Sequence, residues 1–419
     1  MIEAIKGARD ILPAEVGRWQ LVEARARRTF DRYGFHEIRT PIFESTELFQ
    51  RGIGEDSDIV AKQMYTFRDR KGRSLTLRPE STAPVARAYI QHGLHRASEL
   101  QRLYYIGPMF RYERPQKGRM RQFYQIGAEA IGSDHPAVDA ETLEMLVAFL
   151  DSLGLASARV VLNSVGCPAC RPAYRAALLR YLEPRVDGMC HDCRRRVEVN
   201  PLRCFDCKVE ADRDLMARAP NIRDHLCPAC REHFERVLAY LRSFGVEFSL
   251  DPRLVRGLDY YRRTAFEVVL PGLGAQNALL GGGRYDGLIE ELGGPPVPGF
   301  GFAVGEDRLV MMLPEDAGAA DAAPEILMVA LGESSIGRAL LLARRLRRAR
   351  KRVVLDPLPH RSLRSQLRRA NERGARFVVI LGEREIDRGE LTLKRMSDGR
   401  QATVREEALE AGLQQLSHA

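Results

Sequence analysis

A chain of 419 residues is too long for one ordinary hydrophobic core, so we expect two or three domains. Its composition, 45% hydrophobic and 29% charged, is that of a globular protein, and no run approaches the roughly eighteen apolar residues of a membrane helix. The first residues also lack the apolar run of a signal peptide, so we expect a cytoplasmic protein.

The formal net charge of +9 suits a polyanionic partner such as nucleic acid. A proteome rich in arginine would produce the same balance. Charge therefore leaves both explanations open.

The chain opens with a helical pattern. Apolar residues recur at helical spacing over Glu15–Tyr33, and Gly34 is expected to end the helix. The extended run Phe35–Phe43 follows, and its Pro41 indicates an edge strand or the end of one.

Several strand-like stretches follow, many of them joined by short charged turns. They are Gln63–Phe67, Ser74–Leu77, Leu103–Tyr112, Gln122–Ile131, Ala265–Val269 and Phe300–Val304. This pattern predicts an α+β domain with a mostly antiparallel sheet and flanking helices, and it fits a doubly wound nucleotide-binding fold less well.

The segment Phe110–Gln125 places five cations around a Pro/Gly turn between two strand-like arms. The sequence contains neither a Gly-x-x-x-x-Gly-Lys-Ser/Thr loop nor a Gly-x-Gly-x-x-Gly loop, so side chains must hold the phosphates of any nucleotide. The planar guanidinium group of arginine suits that task. A solvated basic hairpin is the alternative, and the segment by itself favours it.

The eight cysteines form four Cys-x-x-Cys pairs between two strand-forming blocks, which indicates an inserted module over about 167–235. Such pairs are typical of structural zinc sites. Their symmetrical spacing predicts two sites, although free reduced thiols remain the alternative. The inner four would form one site and the outer four the other: Cys190, Cys193, Cys204 and Cys207, and Cys167, Cys170, Cys227 and Cys230.

Residues 314–324 are poor in bulky side chains and indicate a linker. Strands and helices then alternate, with strands over Ile326–Leu331, Arg352–Leu355 and Phe377–Leu381 and helices over Ser335–Arg350 and Arg361–Arg373. This alternation predicts a small α/β domain with a parallel core over residues 325–419, after a first domain over residues 1–320.

Four further motifs surround the basic segment: Leu77–Thr82, Leu254–Tyr261, Gly281–Leu288 and Gly299–Leu309. Each alone is weak, since Leu254–Tyr261 could hold a turn and the triple glycine could be a flexible loop. Together, in this order, they closely resemble the histidyl-tRNA synthetases, a class II aminoacyl-tRNA synthetase family, over essentially the whole chain. The resemblance implies a class II catalytic domain, a C-terminal anticodon-binding domain and a homodimer whose interface includes the run ending at Pro41.

The resemblance also implies roles for individual residues. Arg111, Arg256 and Arg308 would be catalytic, with ATP held by Arg111, Glu113, Arg119 and Arg308. Histidine would be held by Glu80, Thr82, Arg111, Gln125, Glu129, Arg256, Tyr260 and Tyr261, with Glu129 and the two tyrosines facing the imidazole. Ordinary aromatic packing is the alternative for the tyrosines.

The implied reaction is the activation of L-histidine by ATP with Mg²⁺, followed by transfer of the histidyl group to tRNA(His). The basic stretch His360–Arg369 would contact the anticodon stem, unless it is simply a solvated helix face. Two residues depart from the family pattern, Ser81 where glycine is usual and Asp307 where glutamate is commoner. The nearest rival is the synthetase-like regulatory subunit of ATP phosphoribosyltransferase, which binds histidine without charging tRNA.

Overall fold

A computed structural model describes residues 2–54, 57, 59–116, 118–256, 258, 260–270, 278–318, 323–358 and 360–418 of the chain. The chain forms two compact units, Met1–Glu315 and Asp316–Ala419. The division falls inside the predicted linker, of which residues 319–322 lie outside the described part, as do Lys117, Gly257 and Asp259 of the motifs above.

The first unit contains two sheets and the helices packed on them. Its strands are β1 (His36–Glu37), β2 (Phe43–Ser45), β3 (Tyr65–Arg68), β4 (Ser74–Leu77), β5 (Gln101–Phe110), β6 (Gln122–Ile131), β7 (Arg159–Ser164), β8 (Phe248–Leu250), β9 (Arg262–Val269), β10 (Ala278–Arg284) and β11 (Gly299–Gly305). Its helices are α1 (Pro13–Arg32), α2 (Thr46–Ile53), α3 (Thr82–Gln91), α4 (Pro136–Ser152), α5 (Arg171–Leu182), α6 (His191–Val199), α7 (Glu210–Met216), α8 (Pro228–Ser243), α9 (Leu288–Glu291) and α10 (Glu306–Met312).

The large sheet has the strand order β1-β5-β6-β11-β10-β9-β7-β8. Neighbours from β5 to β7 pair antiparallel, while β1 with β5 and β7 with β8 are parallel at the two edges. A second, small antiparallel sheet has the order β2-β4-β3. The predicted α+β class with an antiparallel-rich sheet is confirmed.

Helix α1 covers one face of the large sheet. Pro13 stands in its first turn, where a missing N–H group breaks no intrahelical bond. The buried ring of Phe30 lies 5.4 Å from the ring of Tyr104 on β5 and 6.0 Å from that of Phe302 on β11. The helical pattern predicted for Glu15–Tyr33 thus marks the face that packs on the sheet.

The triple glycine Gly281–Gly283 lies inside β10, in the centre of the sheet, and is not a loop. A Cβ atom on Gly282 would stand 2.2 Å from the carbonyl oxygen of Gly301 on β11. Glycine therefore allows the two strands to approach closely.

Between β7 and β8 the chain leaves the sheet and forms α5 to α8, joined by the 3₁₀ turns Glu183–Gly188, Pro201–Asp206 and Ile222–His225. We call residues 167–230 of this region the cysteine module, since they hold all eight cysteines. Buried Leu178, Val197 and Met216 join the thiols of Cys193 and Cys204 in its core.

The second unit has a single described sheet, of order β13-β12-β14-β15-β16. Its strands are β12 (Ile326–Ala330), β13 (Val353–Leu355), β14 (Phe377–Leu381), β15 (Glu390–Arg395) and β16 (Gln401–Arg405), and its helices are α11 (Glu333–Arg348), α12 (Leu363–Glu372), α13 (Glu383–Arg388) and α14 (Leu409–His418). The first three strands pair in parallel, as predicted, and β15 and β16 extend them antiparallel. Among the described helices of the whole chain, none has the length and apolarity needed to cross a membrane.

Candidate active site

A cavity of about 350 Å³ opens on the first unit, between the hairpin after β5 and the strands β10 and β11. It gathers side chains from segments that lie far apart in the sequence. The predicted site residues that line it are Glu80, Thr82, Arg111, Glu113, Arg119, Gln125, Arg256, Tyr260, Tyr261 and Arg308.

One end of the cavity is formed by the start of α3. The buried carboxylate of Glu80 accepts the backbone N–H of Thr82 at 2.7 Å and that of Ala83 at 3.0 Å, so it caps the helix. Burial raises its pKa, although these two bonds oppose the shift. Ser81, where the family usually has glycine, has a φ of −121°, a conformation open to any residue. This departure therefore leaves the backbone unstrained.

Glu129, on β6, lies directly behind Thr82 and not on the cavity wall itself. Its two carboxylate oxygens accept the hydroxyl of Thr82 at 2.7 Å and that of Tyr285 at 2.6 Å. A Cβ atom on Gly301 would stand 1.9 Å from this carboxylate, so glycine makes room for it. Burial raises the pKa of Glu129 to about 8, despite the two bonds.

Tyr285 is a site residue that the sequence reasoning did not single out, although it lies within the quoted motif Gly281–Leu288. Its ring is buried 5.9 Å from that of Tyr260, and Tyr260 is in turn 4.6 Å from Tyr261. Burial raises the pKa of all three phenols, so they remain neutral donors and acceptors at physiological pH. Three phenols in ring contact with one another thus lie together, and Tyr285 joins them to the Glu129 carboxyl by a hydrogen bond.

Four arginines give the cavity a cationic lining. Arg111 donates from Nε to the carbonyl oxygen of Pro79 at 2.9 Å, and its guanidinium lies 5.2 Å from the centre of the Phe123 ring. Arg308 donates to the carbonyl oxygens of Ala278 and Gly118. Backbone acceptors and a ring therefore fix both cations without neutralising them.

Two carboxylates balance the other two cations. Arg119 lies 3.5 Å from Glu113, and Nη1 of Arg256 donates to Oε1 of Glu267 at 2.5 Å. Glu267 was not predicted, although a lone acidic residue in the apolar strand β9 was a usable signal. Burial lowers the pKa of Arg308, and the charge of Arg119 lowers it further. Like charges held this close favour an anionic ligand.

Asp307, the second departure from the family pattern, also lines the cavity. Its Oδ2 accepts the backbone N–H of Tyr124 at 3.0 Å, and Oδ1 lies 4.0 Å from Arg9. The shorter carboxylate thus ties α10 to the beginning of β6. Burial raises its pKa against the effect of these contacts.

The outer cysteine pairs come together in the cysteine module. The ligand atoms of Cys167, Cys170, Cys227 and Cys230 all lie within 4.8 Å of one another. Sγ of Cys167 is 3.6 Å from that of Cys170 and 3.9 Å from that of Cys227, too far for a disulfide. A tetrahedron with Zn–S bonds of about 2.3 Å has S–S edges of about 3.8 Å, so these thiols fit one zinc ion.

The inner group differs from the predicted set of four cysteines. The mutually close ligand atoms belong to Cys190, Cys193, Cys207 and Asp212, the last of which was not predicted. Asp212 lies 3.2 Å from Sγ of Cys207, whereas Sγ of Cys204 lies 3.7 Å from the backbone oxygen of Cys193. The short helix α7, which follows the third Cys-x-x-Cys pair, brings the carboxylate in, and cysteine spacing could not reveal this.

In the second unit, Ser362 caps α12 by accepting the N–H of Ser365 at 3.3 Å. The buried residues of this helix are Gln366 and Ala370, so most of its arginines are solvated. Contact with RNA therefore stays a prediction.

Known proteins resemble the chain over its full length. A histidyl-tRNA synthetase family model matches residues 7–309, and an anticodon binding domain model matches residues 325–416. Histidine–tRNA ligase of Solibacter usitatus is 52% identical over 419 residues, all of both chains, and that of Pelobacter propionicus is 53% identical over 410 residues, 98% of each. The crystal structure of the apo histidyl-tRNA synthetase of S. aureus is 37% identical and covers 98% of both chains with a TM-score of 0.81.

Proposed function

The chain belongs to the histidyl-tRNA synthetase family and is a histidine–tRNA ligase, and we propose that the cavity described above is where it activates histidine. The observation that supports this placement is the convergence of cations from three distant segments and of buried hydrogen-bonding groups on one cavity. The cations suit a triphosphate, and the hydrogen-bonding groups suit a polar side chain.

Arg111 and Arg256 are the cations proposed to flank the α-phosphate, while Arg119 and Arg308 hold the outer phosphates and Glu113 lies near the adenine. An oxygen of the histidine carboxylate attacks the α-phosphorus, a new P–O bond forms, and the bond to the pyrophosphate oxygen breaks. Negative charge on the phosphoryl oxygens then meets cations that neighbouring groups already orient.

Mg²⁺ accompanies ATP in such reactions, and an ion bound here would offset the charge of the phosphates. Carboxylates are the ligands that Mg²⁺ prefers, and those lining the cavity besides Glu80, which caps α3, are Glu113, Glu267 and Asp307. These residues fit the role of holding the hydrated ion. Their pairing with Arg119, Arg256 and Arg9 keeps them oriented.

Histidine is proposed to lie with its α-amino group near Glu80 and Gln125 and its imidazole toward Glu129. The Glu129 carboxyl lies behind Thr82, and we propose that an imidazole beside Thr82 reaches a remaining lone pair of this carboxyl with one ring nitrogen, while Tyr260 and Tyr261 enclose the ring. An amino acid without an imidazole would leave these buried polar groups unpaired. The cluster therefore accounts for selection of histidine.

In the second step, the terminal ribose hydroxyl of tRNA(His) takes the histidyl group and AMP leaves. We propose that the second unit binds the anticodon stem through Arg364 and Arg368 of α12 and Arg361 just before it, all of which are exposed. Because charging supplies translation, we place the enzyme in the cytoplasm.

We also propose a homodimer. The small sheet exposes Ile42 at 44%, Phe43 at 54% and Phe67 at 45%, with Tyr112 beside it at 55%. An apolar group of this kind next to the segment that includes Pro41 supports an interface there.

The cysteine module is proposed to hold two structural zinc ions, one in each cluster. The Sγ distances of the outer cluster support the first, and the buried carboxylate and thiols of the inner cluster support the second. Less than half an equivalent of zinc per purified chain would overturn this part of the proposal.

The assignment is tested by amino-acid-dependent exchange of pyrophosphate into ATP, run with each of the twenty amino acids. Histidine alone is expected to support rapid exchange. Exchange with a different amino acid, or with none, would overturn the placement. Exchange with no amino acid would favour the non-charging regulatory subunit. Relatives about 50% identical over the full chain argue against that alternative.

A further inference from the structure

The segment Leu254–Tyr261 carries Arg256 and both pocket tyrosines, and several of its described residues also lie beside the cysteine module. A cavity of about 50 Å³ between them is lined by Leu202 and Arg203 of the module and by Val255, Arg256 and Tyr261 of the segment. A second cavity, of about 230 Å³, is lined by further residues of both, among them Asp206 and Leu254. The module therefore forms the outer support of the segment whose inner side faces the substrates.

Polar groups link the module to this segment. Nη2 of Arg171 donates to the backbone carbonyl oxygen of Tyr261. Asp206 pairs with Arg203 at 3.7 Å and lines the larger cavity together with Glu267, the carboxylate that holds Arg256. Arg171 and Asp206 thus each lie beside a group proposed to touch histidine or ATP, or beside the carboxylate that holds such a group.

Both contact residues stand next to a proposed metal ligand in the sequence. Arg171 follows Cys170 of the outer cluster, and Asp206 precedes Cys207 of the inner cluster. The 3₁₀ turn Pro201–Asp206 lies between Cys193 and Cys207, so a metal bound there would fix the chain at both ends of the turn. An ion in either cluster would thus help to position the residue that is next to one of its ligands in the sequence.

We propose that the cysteine module is a metal-dependent support for Leu254–Tyr261, with Arg171 and Asp206 as positioning residues for adenylation. This inference rests on the proposed zinc clusters and on the proposed roles of Arg256, Tyr260 and Tyr261. Displacement of a reacting cation by about 1 Å costs on the order of 10²-fold in rate. Removal of zinc therefore slows adenylation although none of the proposed zinc ligands lines the cavity.

The first test uses the full-length protein with its metal ligands intact. Arg171→Met is expected to lower kcat of histidine-dependent pyrophosphate exchange by about 10- to 100-fold, with KM for ATP changed by less than about threefold. Arg171→Lys, which keeps a donor for the Tyr261 carbonyl, is expected to recover part of the loss. Arg180→Met, at an exposed position on the same helix, is the matched control and should leave kcat unchanged.

Asp206→Asn removes a charge near the Arg256–Glu267 pair and should also lower kcat more than it raises KM. Asp214→Asn, an exposed carboxylate of the same module, is its control. If Arg171→Met and Asp206→Asn both lie within about twofold of their controls, the positioning role is wrong, whatever the metal content.

The second test removes the metal. Zinc is measured in the purified enzyme, stripped with a chelator that is then dialysed away, and restored after Mg²⁺ has been added back. We expect kcat to fall at least about tenfold, to return with zinc, and hydrogen exchange to rise in the peptide over residues 254–261 before it rises in β5 and β6. Circular dichroism checks that the stripped protein remains folded.

The outcomes separate the two proposals. A wild-type enzyme without histidine-dependent exchange would overturn the placement of the active site. Less than half an equivalent of zinc would overturn the metal clusters and this inference together. Bound zinc whose removal changes neither kcat nor hydrogen exchange of residues 254–261 would leave the clusters standing and overturn the support role alone.

Discussion

Replacement of Glu129 by glutamine tests the histidine pocket most directly. The carboxyl is 1% exposed and its pKa is raised by burial from 4.5 to about 8. At about 1.36 kcal/mol for each pH unit, burial disfavours the carboxylate relative to the acid by roughly 5 kcal/mol. At neutral pH the free enzyme therefore keeps a proton on Glu129.

This proton makes histidine binding depend on pH in a defined way. The imidazole of free histidine has a pKa of about 6.5, and the bound pair shares one proton between ring and carboxyl. Below pH 6.5 both partners are protonated, so binding releases a proton and affinity falls as the pH falls. Above pH 8 both are deprotonated, so binding takes up a proton and affinity falls as the pH rises. Affinity should thus be highest between these values.

Glu129→Gln removes the group that sets the upper limit. We expect histidine affinity at pH 7.5 to fall by about 10- to 100-fold, the effect of losing a hydrogen bond to a charged group. The decrease that begins near pH 8 should also diminish. Glu80, whose pKa burial also raises, and Tyr285 face the same region, so the difference between the two profiles is the informative quantity. Isothermal titration calorimetry from pH 5.5 to 9.5 measures both.

Thermal unfolding without histidine supplies an independent readout. Since folding raises the pKa of Glu129, its contribution to stability is complete below pH 4.5 and is lost as the pH rises through about 8. The glutamine variant should therefore gain stability relative to the wild type as the pH rises over this range. Unchanged binding profiles in the variant would refute the proposal that Glu129 meets the imidazole.

Three further changes test the remaining groups. Arg256→Ala should lower kcat of histidine-dependent pyrophosphate exchange by about 10²–10³-fold and histidine affinity by much less, and Arg180→Ala, at an exposed position outside the cavity, serves as its control. Equal losses in rate and affinity would argue for a structural role. Tyr285→Phe removes a bond that lowers the pKa of Glu129, so the upper limit of histidine binding should move above pH 8 in calorimetry, and an unmoved limit would contradict the contact. Glu306→Leu should raise Tm more at pH 8 than at pH 5. Burial raises the pKa of Glu306 to about 9, and its oxygens have no hydrogen-bond partner among the described residues. The same gain in Tm at both pH values would argue against this effect of burial.

The sequence predicted the elements whose apolar pattern is regular. Glu15–Tyr33 and Gln122–Ile131 correspond to α1 and β6 within two residues at each end, because one face of each is buried. The sequence did not show that Gly281–Gly283 belongs to a strand, because three glycines have no side chains whose alternation could reveal one. In the second unit, β16 went unnoticed because its alternate residues are partly or fully exposed.

The site residues were predicted from the family resemblance. The order of the motifs established that resemblance, and secondary-structure propensity could not have done so. Residues that act through another side chain were missed for a different reason. The roles of Tyr285 and Glu267 follow from the side chains that they contact. These are Glu129 and Arg256, which lie 156 and 11 positions away in the sequence. The same holds for Asp212, which completes a cluster of cysteines. Such partners depend on the three-dimensional fold and leave no fixed spacing in the sequence.

The basic segment Phe110–Gln125 shows why the fold changes the interpretation of a charge pattern. On a solvated hairpin each arginine would move freely and its charge would be screened. Here Arg111 is held by the Pro79 carbonyl and the Phe123 ring. Arg308, from another segment, donates to the carbonyl oxygen of Gly118 in the same hairpin. The protein has already ordered and partly desolvated these cations before a substrate arrives, at the expense of its own stability. A triphosphate recovers that free energy because it is the group that can meet all of them at once.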